Sequence, residues 1–256
     1  MRWLYRLVIY LMICTLAGGA FAVFYAVRKQ PAATLVFKAP LDQPLTETIL
    51  AGRLKVLRKR FRLGFYRVER QGDELLVRVR SPLDPKPLAE MLGKTLATEL
   101  RLVAELPATG AVSIGEDQVI LYENRLFTST SRIGEDVIRR VGYVARKAPE
   151  LVLRRFKSVR YQTKAIARKP MITLELLPDD RERFARLTEA NIGKRLAIVL
   201  NGEVITAPQI QEPLRDGRAS ICGIPTREVA EELAGLMQLG ALDAPLVLLE
   251  IRREAK

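Results

Sequence analysis

Residues 195–250 read RLAIVLNGEVITAPQIQEPLRDGRASICGIPTREVAEELAGLMQLGALDAPLVLLE, and their punctuation decides the fold class. Leu196 to Leu200 is an apolar run of buried-strand type. Asn201-Gly202 is the residue pair preferred in a two-residue hairpin turn, so Glu203 to Thr206 is the returning strand. Gly217 and Gly223 bracket a short strand expected to hold Cys222 as a buried core residue, because no Lys, Arg or His lies within two positions to activate the thiol. Thr226 is placed to cap a helix with an inner face of Val229, Ala230, Leu233, Leu236 and Met237, and Gly240 is placed to stop it. Leu246 to Ile251 is the last strand. Just upstream, Met171 to Leu177 reads as a strand. Asp179 or Asp180 then caps a helix through Phe184, Leu187 and Ala190 that ends at Gly193. Strands and helices mixed with tight turns make an α+β protein.

Working towards the N-terminus, Ala33 to Ala39 is β-rich. Thr46 to Leu63 carries Ile49, Leu50, Leu54, Leu57 and Phe61 at helical spacing, and Gly64 closes it. Gly72-Asp73 separates two alternating runs, Phe65 to Arg70 and Glu74 to Arg80, as a hairpin. Asp84, Pro85 and Pro87 open a second helix reaching about Lys94, and Thr98 to Leu106 alternates as a strand. The order β-α-β-β-α-β predicts a ferredoxin-like, split βαβ unit. Between 111 and 170 the sequence predicts a strand at Gln118 to Tyr122 and a helix at Glu135 to Arg146. An Arg-rich stretch follows that fits either state.

Leu7 to Val27 holds 21 residues without a charge, about the length that crosses a bilayer as a helix. Arg2 and Arg6 precede it, Arg28 and Lys29 follow, and Trp3, Tyr5 and Tyr25 sit at its edges. A single-pass anchor in the inner membrane is expected, with the N-terminus cytoplasmic and the remaining chain in the periplasm or outside the cell. A signal peptide cut after Ala20-Phe21-Ala22 is the competing reading.

The chain contains no histidine and 42 Lys or Arg against 29 Asp or Glu, a net charge of +13 over 256 residues. The missing histidine removes the Ser-His-Asp and Cys-His hydrolases. No phosphate-cradling glycine motif or paired-cysteine metal motif is present, so neither catalysis nor a cofactor is expected. Asp179-Asp180 and Glu231-Glu232 read as helix-start and solvent-face residues. Between Arg139 and Lys169 there are eleven basic residues and one acid, Glu150. Arg139, Arg140, Arg146, Lys147, Arg154, Arg155, Lys157 and Arg160 form a candidate patch for anionic lipid headgroups, nucleic acid or acidic polypeptide. The same residues read equally as a solvated face.

Residues 195–250, with TLELLPDDRERFARLTEANIGK before them, resemble the end of the first periplasmic domain of the SecD protein-export family. The resemblance rests on Asn201-Gly202, Val204, Ala207-Pro208, Gly217, Gly223, Thr226, Ala230, Leu233 and Gly240-Ala241-Leu242. The segment LGKTLATELRLV and the order of elements extend it weakly over 33–106. Asn201 stands where the family has Asp, and Asp243 where it has Pro. The resemblance implies a base at 30–110 following the anchor at 1–29, a basic head inserted at 111–170 and a C-terminal part at 171–256 that completes the domain. Candidate hinges lie at Pro107 and Gly110 and at Lys169 and Pro170. It further implies a role in protein export through contact with emerging, unfolded polypeptide, with the Sec translocon or SecF-like membrane proteins, and with membrane lipid. Nucleic acid is disfavoured as a partner. The family's further membrane helices carry its proton pathway, and the only span expected here contains no carboxylate. A domain without a proton-driven motor of its own is therefore expected.

Overall fold

The computed structural model describes residues 30–39, 45–107, 113–128, 136–163 and 170–254. The predicted membrane segment and its Cys14 lie outside them. Among the described residues no helix is long and apolar enough to cross a membrane. The chain divides into two compact units, Met1–Gly93 with Leu246–Lys256, and Lys94–Pro245.

The first unit has strand β1 (Ala32–Lys38), helix α1 (Thr46–Leu57), the hairpin β2 (Phe65–Gln71) and β3 (Glu74–Arg80), helix α2 (Pro85–Gly93), and then β13 (Val247–Arg253) from the far end of the chain. The sheet order is β13-β1-β3-β2, with every neighbour antiparallel. Leu35, Val36 and Phe37 of the central strand are buried, as are Ile49, Leu50, Leu54 and Leu57 of α1. Together with Leu75, Val77, Leu88 and Leu92, they form the apolar core of this unit. Arg53 on α1 is also fully buried, and its Nη1 donates to the carbonyl of Leu92 on α2 at 2.9 Å. Burial lowers its pKa to about 10. The strand closing this sheet is β13, not Thr98 to Leu106 as expected. Alternation in TELRLVAE fits any antiparallel sheet, and partner choice is a long-range property that the pattern does not encode.

The second unit begins with β4 (Thr98–Glu105), continues through β5 (Gln118–Thr128), β6 (Asp136–Arg146), β7 (Leu151–Leu153), β8 (Ser158–Thr163) and β9 (Pro170–Glu175), and reaches α3 (Pro178–Glu189). It then runs through β10 (Arg195–Leu200), β11 (Glu203–Thr206), β12 (Arg218–Ile221) and α4 (Arg227–Leu239). A six-stranded sheet has the order β10-β11-β5-β6-β4-β7, and β10 also pairs with β4. The strands β4, β6, β5, β11 and β10 therefore close into a ring. Val103, Leu121, Tyr143, Ala145, Ala197, Val199 and Val204 fill it, at least one from each strand. The link between β11 and β5 is narrow, a single parallel pairing of Val204 with Glu123. A separate sheet, β12-β9-β8, is antiparallel throughout.

Four further expectations change. Glu135 to Arg146 is not a helix: Asp136–Arg146 is a strand paired along its whole length with β5. Its apolar residues at 137, 138, 141, 144 and 145 mimic a helical period, while its β-branched content and Gly142 favour the pleat. The α3 N-cap is Leu177, with no side-chain cap and Pro at the first turn, so neither Asp179 nor Asp180 caps it; proline's fixed φ starts the helix instead. Cys222 is exposed, because Ile221 takes the inner face at the end of β12 and the next residue alternates outward. Val229 is 42% exposed, and α4 buries Ala230, Ala234, Leu236 and Met237.

Two turn assignments hold. Asn201 and Gly202 both have positive φ, 58° and 81°, the primed turn that joins β10 to β11. Thr226 Oγ1 accepts from the backbone N–H of Val229 at 3.3 Å, capping α4.

Candidate functional site: an apolar groove with an open strand edge

Within the second unit the outward residues of β4 and β10 face the β12-β9-β8 sheet without filling the space between them. Inward residues such as Val103, Ala197 and Val199 pack the ring, so period two turns Leu100, Leu196 and Ile198 to its outer surface. Opposite stand Leu174 and Ala219, paired across β9 and β12, and Leu176 beyond them. Phe184 and Thr188 of α3 form one end wall, Leu153 of β7 contributes to the floor, and the segment 208–214 runs along the mouth. The resulting cavity has a volume of about 480 Å³, within the size range of small-ligand sites.

Its mouth is held by hydrogen bonds rather than by apolar packing. The N–H groups of Leu196 and Ile210 donate to the carbonyls of Pro208 and Lys194 at 2.9 Å each, and Gly193 N–H donates to Ile210 at 2.8 Å. Thr188 Oγ1 accepts from Leu214 N–H at 3.0 Å and donates back to its own helix. The 208–214 segment is thus tied at both ends. At the far side Gly217 has φ +70°, and an added Cβ would lie 2.8 Å from Cγ of Arg181; both facts call for glycine. The walls are hydrophobic and the mouth is polar, with Gln209, Gln211, Glu212, Arg218 and Ser220. Among the described residues no cluster of three acidic or cysteine side chains could hold a metal ion.

The candidate basic residues lie on several elements of the second unit. Arg146 pairs with Glu150 at 2.6 Å, and this acid holds the guanidinium pKa up through its hydrogen bond and its charge. Lys157 pairs with Glu175 at 2.7 Å and lowers the carboxyl's pKa. Arg154 lies 3.8 Å from Asp243, and its Nη1 donates to the carbonyl of that residue at 3.1 Å. Arg140 stacks 3.8 Å from the Tyr122 ring centroid, a cation–π contact on the β5–β6 ribbon. Lys147, Arg155 and Arg160 are exposed, on three different segments; the side chain of Arg139 lies outside the described residues. A sequence-contiguous run is thus spread along β6, the β7–β8 connection and β8. Of the candidate hinge residues, Pro107 and Pro170 are described, and both fall inside the second unit. Sequence reasoning missed the groove because its lining comes from seven separated segments, whose apolar residues look like ordinary core.

An α+β domain in which a closed ring of strands carries an apolar groove on its outer face is the class of protein that the fold and site define. Residues 126–244 match the family model described as SecDF, P1 head subdomain. The chain is 30% identical to the protein translocase subunit SecD of Calditerrivibrio nitroreducens over 190 residues, which cover 72% of this chain and 36% of that protein. It is 43% identical to the protein translocase subunit SecDF of Thermus thermophilus over 84 residues, 33% of this chain and 11% of that one. A solved structure described as "Structure and function of a membrane component SecDF that enhances protein export" matches with a TM-score of 0.54 and 26% identity, covering 86% of this chain and 99% of that chain. The chain belongs to the SecD family and carries its P1 domain. It spans about a third of the length of curated relatives such as the C. nitroreducens SecD.

Proposed function

We propose that the chain serves protein translocation as a P1 domain at the inner membrane, its two units in the periplasm and its Leu7 to Val27 segment as the anchor. The groove holds apolar segments of emerging polypeptide. The observation carrying this reading is the groove's composition: leucines and isoleucines from both sheets in about 480 Å³, with an uncharged or charge-balanced mouth. Burying apolar side chains there gains roughly 25 cal/mol per Å², enough to retain unfolded chain without recognising a sequence. A Sec translocon, SecF-like proteins and membrane lipid are the partners this places nearby. In this reading the first unit is a ferredoxin-like base and the second a head.

The alternative, a basic module for anionic lipid or nucleic acid, has less support because Arg146, Arg154 and Lys157 already sit beside acids. Salt separates the two. Binding through phosphates falls steeply between roughly 50 and 200 mM salt, whereas apolar capture persists. The direct test places a photo-crosslinking residue at Ile210 or Leu214 in the full chain in its membrane during export of a secretory precursor. Adducts to the precursor from these positions, and none from exposed Ile192 on the first turn beyond α3, are expected. Equal labelling from all three positions would sink the proposal.

A further inference from the structure

The groove is bordered by an unpaired sheet edge, and the two together specify more than apolarity. In the order β12-β9-β8, β12 has no strand on its outer side among the described residues. Leu176 N–H donates to the Gly217 carbonyl at 2.9 Å. With the register Arg218 to Glu175, Ala219 to Leu174 and Ser220 to Thr173, this fixes which main-chain groups point where. Hydrogen-bonded and non-hydrogen-bonded pairs alternate in an antiparallel ladder. Ala219 and Ile221 therefore bond to β9, while the N–H and C=O of Arg218 and Ser220 turn to the open side. The Arg218 N–H is met there by Asp216 Oδ1 at 3.0 Å, which leaves the outward C=O of Arg218 and both outward groups of Ser220 at the groove mouth.

We propose that the Arg218–Ile221 edge adds an extended segment of the captured polypeptide as a further antiparallel strand, with alternate apolar side chains of that segment entering the groove beside Ala219. This rests on the polypeptide-holding role of the groove given above. The occupant follows from two features. An acyl chain can fill an apolar cavity but has no N–H and C=O repeat to match a strand edge. The mouth carries one acid, Glu212, and one base, Arg218, a balance that complements an uncharged peptide and offers nothing to a phosphate. Because pleat and hydrogen-bond direction share a period of two, the geometry also sets which amides matter. Residues facing the groove lie opposite Ala219 and point their N–H groups away from β12, and the intervening residues, opposite Ser220, donate to it.

The probe is a fluorescent nonapeptide alternating leucine with threonine, titrated into the full chain in detergent micelles and followed by anisotropy. Two versions are compared, one N-methylated on the threonines and one on the leucines. Losing two hydrogen bonds of ordinary strength corresponds to at least about a tenfold weakening. The threonine-methylated peptide is expected to weaken by that factor, and the leucine-methylated one to bind within about threefold of the parent. Ser220→Pro, which removes one outward N–H and none bonded to β9, should weaken the parent peptide about fivefold with an unchanged circular dichroism spectrum. Equal behaviour of the two methylated peptides, whether both bind or both fail, overturns strand addition while a tight parent peptide leaves the groove reading standing. A parent peptide that does not bind, or a β12-dependent dimer of the chain that excludes it, overturns both.

Discussion

Tyr143→Phe isolates the interaction at the seam of the strand ring. Tyr143 is fully buried and Glu123 is 7% exposed, and the phenol donates to Glu123 Oε2 at 2.6 Å. Glu123 is also the β5 residue whose backbone forms the single pairing to Val204 of β11. Removing the hydroxyl leaves the ring volume filled and deletes one hydrogen bond to a carboxyl group shielded from water. Bonds of this kind contribute about 1.5–3 kcal/mol. For a unit of this size each kcal/mol shifts Tm by about 2–4 °C, so a fall of roughly 3–12 °C is expected. Hydrogen exchange should locate the loss, with amides of β11 and the middle of β5 accelerating more than those of β1 or β3. Glu123→Gln, which keeps an acceptor for the phenol, should cost less. A Tyr143→Phe protein melting within about 1 °C of the parent, or one whose added exchange is spread evenly over both units, would refute the assignment of Glu123 and Tyr143 as the seam's clasp.

Other outcomes follow from the same geometry. Thr226→Ala removes the α4 cap and should destabilise by about 1 kcal/mol in denaturant melts, with Thr226→Ser close to the parent. Gly217→Ala should cost more than the roughly 1 kcal/mol of a bare left-handed strain, since its Cβ meets Arg181; an Arg181→Gly background should recover part of the loss. Cys222 should react rapidly with a thiol reagent in the folded protein, and a rate near that of a core cysteine would contradict its exposure. The Lys157 hydrogen bond holds the Glu175 pKa below its ordinary 4.5. The pair's stabilisation is therefore present above that value and is lost as pH falls through the folded-state pKa. The stability difference between the parent and Lys157→Met should shrink in acid, and a difference that grows in acid would reverse the sign.

Local chemistry was legible in the sequence where one or two residues decide it. Asn201-Gly202 announced the β10–β11 turn, Thr226 and Gly240 the ends of α4, and Gly72-Asp73 the first hairpin. Errors arose where a pattern has two solutions. Residues 136–146 satisfy both a helical and a strand period, and only pairing with β5 decides between them. Thr98–Glu105 is plainly a strand, yet whether it joins β1 or β10 depends on residues about a hundred positions away. Cys222 turned on a shift of one residue at the end of a four-residue strand. The groove was invisible for a related reason. A leucine lining an unfilled space and one buried in contact look alike in the sequence, and only the separation of two sheets distinguishes them.

The position of β13 bears on how the chain is made. Strand β1 needs β13 as one of its two neighbours, and about 200 residues separate them. At roughly 5–20 residues per second, β1 emerges on the order of 10–40 s before its partner. During that interval an apolar edge, LVF at 35–37, stands open to wrong pairings. Folding of the inserted unit relieves the problem. The N–H of Leu242 donates to the carbonyl of Thr95 at 3.0 Å, and that of Leu246 to Gly93 at 2.8 Å, so the outgoing segment runs beside the incoming one. Once residues 94–245 have folded, the long tether behaves as a short one, and most of the entropy of closing it has already been spent. The order of synthesis thus favours the insert maturing first and the first unit being sealed only when β13 has left the ribosome. A stalled chain ending near Pro245 should carry a folded insert within an unfinished first unit, the species on which a chaperone or a protease would act.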